Sequence, residues 1–164
     1  MSWLSEWIKK LFYSSNKTAT EPHNISSAAL VNKLREAGFP PHVYIFRPDR
    51  SYALPKKDWL LWQYGSWYKK VLKGLDIAGW DKLFDCDDFA RLYADLCQAC
   101  HAAGNSRSEG IAVGKLAYIE APGRPHAINF AVTDVGVIFV EPQWAKEVKL
   151  TDEQVRSIYW ATLW

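Results

Sequence analysis

The chain reads as an α+β domain, and three observations predict it. Up to His101, apolar residues recur at helical spacing. Beyond Gly110, three stretches are rich in β-branched and aromatic residues with turn signals between them. No internal repeat interrupts this order, so helices come first and an antiparallel sheet last. With 164 residues, 49% of them apolar, the chain can bury one full hydrophobic core.

Trp3, Leu4, Trp7, Ile8, Leu11 and Phe12 step by three and four opposite Lys9 and Lys10. This predicts an amphipathic helix over 1–15, suited to docking on protein or to peripheral membrane contact through residues 1–12. The polar run SSNKTATEPHN predicts a linker over 16–25, leaving 26–164 as the domain proper. Ser26 or Ser27 can cap a helix through AALVNKLREAG, which Gly38 ends. Pro40-Pro41 predicts extended chain, and HVYIF and SYAL predict short strands around the turn RPDR. From Asp58, DWLLWQYGSWYKKVLKGL predicts an aromatic-rich helix with a break at Gly65. In the next helix Phe89, Leu92, Tyr93, Leu96 and Cys100 form one apolar face, and Cys86 falls in its first turn. IAVGKLAYIE, HAINFAVTD and GVIFVEPQ predict the three strands, turning at Pro122-Gly123 and at Gly136. Thr151 and Gln154 make a capping box for a last helix through DEQVRSIYWATLW.

The net charge of +2 is too small to imply a nucleic-acid partner. Nine Trp in a chain of this size exceed what a core needs and point to a groove or an interface. The three cysteines offer no disulfide framework, and MSWLSEWIKKLFYSS lacks the apolar core of a signal peptide. A reducing, cytoplasmic setting is therefore expected.

All three cysteines lie in LFDCDDFARLYADLCQACH. Cys97-Gln98-Ala99-Cys100-His101 fits C-x-x-C-H, but haem is not expected, because that attachment belongs to exported chains and the only Met is the first residue. Cys86 is the stronger candidate. Unpaired N–H groups at a helix start favour a thiolate and can donate to an oxyanion. Asp85, Asp87 and Asp88 act against ionisation unless a cation compensates. His126 opens a predicted strand and can serve as base, and Glu141 at the end of the next strand can hold its tautomer. The order Cys86, His126, Glu141 suits nucleophilic attack on an amide carbonyl. Asn129 falls on the opposite side of the strand from His126 and is left out.

FDCDDFA, HAINF and EPQW resemble the papain-like domain of the Marasmius oreades agglutinin family, whose pattern also occurs in phage proteins; a phage origin would mean the host cytoplasm. The resemblance covers roughly Trp80 to Trp144. It implies a papain-like, transglutaminase-like fold with the nucleophile helix packed on an antiparallel sheet. It implies a cysteine protease, a hydrolase of protein or peptide substrates activated by calcium or manganese. Cys86 would be nucleophile, His126 base and Glu141 the orienting acid, with Asp87, Asp88 and Gln143 as ion ligands. The agglutinin's β-trefoil has no counterpart here, so no lectin activity is expected from that source. Trp80 stands near where papain-like enzymes carry an oxyanion-donating Gln. Two alternatives stay open: a peptidoglycan hydrolase of the NlpC/P60 or CHAP kind, and a catalytically silent papain-like binding protein, such as a phage inhibitor of a host protein. Oligomeric state is not legible.

Overall fold

The computed structural model describes residues 20–103 and 108–163. The expected N-terminal helix over 1–15 lies outside them. The chain forms a mixed α+β domain with two sheets. Strand β1 (Thr20–Ser26) leads into helix α1 (Ser27–Glu36), followed by β2 (Ile45–Phe46) and β3 (Ser51–Pro55). A π-helical turn (Trp59–Tyr64) runs straight into α2 (Gly65–Gly74), and α3 spans Cys86–Ala103. Strands β4 (Gly110–Ile111), β5 (Val113–Ala121), β6 (Arg124–Thr133), β7 (Gly136–Glu141) and β8 (Lys146–Val148) follow. The short helix α4 (Asp152–Arg156) and strand β9 (Trp160–Leu163) complete the fold.

The larger sheet has the order β2-β9-β5-β6-β7-β8, and the smaller β1-β3-β4. The three strands read from the sequence form the antiparallel centre of the larger one. Its two faces are covered differently. Phe89, Tyr93 and Cys97 of α3 pack with Tyr64, Tyr68 and Leu72 over Val113, Ala131 and Val140. Leu30 and Leu34 of α1 pack with Phe39 and Ile158 over Leu116, Ile128 and Phe130.

Local chemistry sets the helix ends. Ser26 accepts the Ala29 N–H at 3.2 Å, and Gly38 turns out of α1 with φ +93°. The Thr151–Gln154 capping box forms in both directions. The fixed core of α3 is rotated slightly from the expected stripe: Ala90, Ala94 and Cys97 are buried, while Leu92 and Leu96 are only partly so. Small residues let the helix approach the sheet closely along that line.

Three expectations are corrected. Residues 20–25 of the predicted linker belong to β1, because an edge strand needs only backbone partners and tolerates a polar sequence. Pro40-Pro41 does not run extended: Val43 N–H bonds Pro40 O at 3.1 Å, and the Arg35 guanidinium donates to Val43 O at 2.7 Å, drawing the chain into a turn. The strands expected around RPDR do form, as β2 and β3, one in each sheet. The last helix stops at Arg156, and WATL becomes β9, hydrogen-bonded to β5 on one side and β2 on the other. Tertiary pairing overrides helical periodicity there.

Candidate functional site

Cys86 starts α3 at one end of the larger sheet, beside the hairpin between β5 and β6. The cleft there has a volume of about 820 Å³. Cys86, His126 and Glu141 all line it, together with Asp85, Asp87 and Gln143. The sequence-predicted residues therefore converge, with one exception. Asp88 accepts the Asp85 N–H at 3.3 Å and pairs with Arg91, so its carboxylate is engaged along the helix rather than in the cleft.

The His126 ring is held at one nitrogen. Its Nε2 lies 2.9 Å from Glu141 Oε2, and Glu141 Oε1 accepts the Gln143 N–H at 3.2 Å. That N–H comes from the turn after β7, where Ala145 N–H bonds Pro142 O at 3.3 Å. Both carboxylate oxygens are thus fixed, and the ring's Nδ1 is left for another partner. The Glu141 hydrogen bond raises the His126 pKa, against an opposing effect of burial.

Cys86 is in the opposite condition. Burial is the main cause of a raised thiol pKa, and the charges of Asp85 and Asp87 add to it. The N–H of Ala127, next to His126, and the N–H of Cys86 itself pull the other way. Asp85 and Asp87 share a hydrogen bond that raises the Asp87 pKa and lowers that of Asp85. Their carboxylates and the Cys86 sulfur lie within 4.8 Å of one another. Two oxygen donors at that spacing, with Gln143 in the same cleft, fit a hard divalent cation.

The remaining wall is aromatic. Trp80 is 60% exposed, Trp144 56% and Tyr159 52%, and all three line the cleft. Arg124, which pairs with Glu120, lines it as well. Tyr159 was not read from the sequence as a site residue, since it fell inside a predicted helix. Asn129 is fully buried elsewhere, donating to Ala90 O at 2.8 Å and Gly114 O at 3.0 Å, so it ties α3 to the sheet. Cys97 is 0% exposed and Cys100 is also buried, while His101 Nε2 lies 2.9 Å from Ser108 Oγ. The C-x-x-C-H residues are thus packed into the domain.

No family model and no curated protein matches the chain. Solved structures do. One, a PSL1a-E64 complex, superposes with a TM-score of 0.64 at 20% identity, covering 85% of this chain and 51% of that one. Another is Polyporus squamosus lectin bound to the human-type influenza-binding epitope Neu5Aca2-6Galb1-4GlcNAc, with a TM-score of 0.66 at 18% identity and coverage of 85% and 49%. The shared feature is the fold. The chain spans about half the length of each. The expected hydrolase and cysteine-protease keywords are corrected by this comparison, in which the Polyporus squamosus neighbour is named as a lectin bound to a glycan epitope.

Proposed function

We propose that the chain is a binding module of papain-like architecture. Its cleft takes an extended protein or peptide segment, with a silent thiol at its floor. The observation that carries this reading is the aromatic wall: Trp80, Trp144 and Tyr159 are each more than half exposed around a single cleft. Exposed aromatics grouped in a concavity supply rigid, amphipathic contact area at little entropic cost. The raised thiol pKa of Cys86 also supports it, since a neutral thiol is a poor nucleophile. So does the fold shared with a protein named as a lectin.

A second reading rests on the 2.9 Å contact between His126 and Glu141. In it, Cys86, His126 and Glu141 form a latent acyl-transfer centre. Calcium or manganese held by Asp85 and Asp87, near Gln143, would supply positive charge that favours the thiolate. His126 takes the thiol proton at its free nitrogen, and Glu141 stabilises the imidazolium. The sulfur attacks a ligand carbonyl, the amide C–N bond breaks, and His126 returns the proton to the departing amine, leaving a thioester on Cys86. The N–H groups of Cys86 and Ala127 are the oxyanion donors at hand, in place of the absent Gln.

Mass-mapped iodoacetamide labelling at pH 7 separates the two, with and without millimolar calcium, on wild type and His126→Ala. Slow Cys86 labelling indifferent to calcium and to His126 leaves the binding module alone. Fast, calcium-dependent labelling that vanishes in His126→Ala establishes the latent centre. E64, an epoxide that alkylates nucleophilic thiols, then gives a second reagent for the same sulfur. Trp80→Ala and Trp144→Ala complete the test of the binding role: peptide-library capture that is unchanged in both variants would refute the aromatic wall as the contact surface.

A further inference from the structure

His126 is held at Nε2 by Glu141, but one hydrogen bond does not fix the plane of a ring. The imidazole can pivot about that bond, and its free nitrogen then sweeps an arc. Something must stop the pivot if that nitrogen is to face Cys86. The antiparallel pairing of β5 and β6 sets Tyr118 directly opposite His126. Directly opposed residues on neighbouring antiparallel strands project from the same side with adjacent Cβ atoms. The two rings meet edge to face, with centroids 5.8 Å apart and planes at 71°. Tyr118 is only 4% exposed and packs with Leu116 and Ile128, so its own ring is fixed by the core beneath it. A rigid aromatic packed beside the imidazole restricts its rotation toward that side.

We infer that Tyr118 is a positioning residue, which clamps the His126 imidazole in the plane that joins Glu141 to Cys86.

The inference builds on the second reading above, which makes His126 the base, yet it concerns the ring's orientation and can be read separately. Its chemistry needs the ring and not the hydroxyl. The Tyr118 hydroxyl makes no hydrogen bond among the described residues. Burial, reinforced by Glu120, Glu141 and Cys86 and opposed by Arg124, pushes its pKa up to about 12, so the phenol stays neutral across the range in which His126 titrates. The groups that face His126 are Glu141, Glu120 and Arg124. A neutral clamp leaves that charge balance undisturbed while holding the geometry.

The test is a nuclear magnetic resonance titration of the four histidines in wild type, Tyr118→Phe and Tyr118→Leu, paired with the pH profile of Cys86 alkylation. In wild type, the His126 ring protons should show cross-peaks to the Tyr118 ring and ring-current shifts, with a single tautomer. Tyr118→Phe should keep the tautomer, the titration and the labelling profile. Tyr118→Leu should release the ring, giving mixed tautomers, a His126 titration displaced toward ordinary imidazole, and slower Cys86 labelling on the neutral limb. His42 and His101 serve as internal references. Folded Tyr118→Leu with a wild-type His126 titration and tautomer would overturn the inference. If that variant does not fold, the wild-type spectra decide: no Tyr118–His126 cross-peak sinks the clamp. Unaccelerated Cys86 in wild type, with the cross-peaks and the Tyr118→Leu tautomer change present, would remove the acyl-transfer reading and leave the clamp standing.

Discussion

The two ends of α3 carry the same reactive side chain in opposite surroundings. Cys86, in the first turn, sits half-buried at the floor of an open cleft beside two carboxylates and an imidazole. Cys97 and Cys100, three turns on, lie in an aromatic core with Tyr64, Tyr68 and Tyr93. Their thiol pKa values are raised by burial alone or nearly so, that of Cys100 to about 12. At Cys86 nearby charge contributes as well, and charge can be altered by a ligand or an ion where burial cannot. Residue type does not separate these thiols; the elements packed around them do.

The comparison breaks or holds first on labelling. Native protein should alkylate at Cys86 at least about 10³-fold faster than at Cys97, because exposing Cys97 requires an opening that costs a large share of a folding stability of about 5–15 kcal/mol. Denaturant should bring the three rates together. Comparable native rates, read by mass mapping, would mean that the α3 core is not closed.

The cleft floor and the core meet at Phe89, and substitution there tests whether the ends are truly separate. Phe89 is buried, lines the cleft, and stands edge-on to Phe84 with centroids 4.7 Å apart. Phe89→Ala should cost about 3–5 kcal/mol in urea melts. Leu83→Ala, three residues before Cys86 and 91% exposed, should change stability by no more than about 0.5 kcal/mol. Equal effects would place Phe89 outside the packed core.

A smaller effect is expected at the imidazole. The Glu141 bond raises the His126 pKa in the folded state. A raised folded pKa contributes stability that is complete below the unfolded value of 6.5 and is lost as pH rises through the folded pKa. Glu141→Gln should therefore lower the His126 titration and cost about 1–3 kcal/mol on the acidic side of neutrality, with the deficit shrinking toward alkaline pH. A deficit independent of pH between 5 and 9 would show that the carboxylate acts there through packing alone.

The sequence carried this site further than it carried the sheets. Cys86 was legible from the helical step of Phe89, Tyr93 and Cys100, and His126 and Glu141 from their places at strand ends, because element ends converge where helix and sheet meet. Gly38 and the Thr151–Gln154 box were legible because caps are local. β1 and β9 were not, since their identity lies in partners far along the chain: Ile25 beside Tyr52, and Trp160 beside Ala117. The misread end of the chain hid Tyr159 from the cleft. Tyr118 and Ala127 were hidden for a related reason. Register assigns them to His126 and Cys86, and register is not a property of either strand alone. Asp88 lies outside the cleft lining because Arg91, one turn away, pairs with its carboxylate, a contact that the spacing of three along the helix permits but does not dictate.

That pairing yields the finest test of the contrast between the two ends. The three acidic residues around Cys86 look interchangeable in sequence, but only Asp85 and Asp87 act on the sulfur. Asp87→Asn removes one of the charges that raise the Cys86 pKa. The sign follows directly: less negative charge beside the sulfur favours the thiolate, so labelling at pH 7 without calcium should be faster than in wild type, and added calcium should change it less. Asp88→Asn, whose carboxylate is spent on Arg91 and the Asp85 N–H, should leave both the rate and its calcium response as they were. If the two substitutions behave alike, the acidic residues act only as a diffuse field on the helix start. If Asp87→Asn alone responds, the pair Asp85 and Asp87 is the element by which an ion reaches the thiol, and the buried cysteines at the far end of α3 have no equivalent of it.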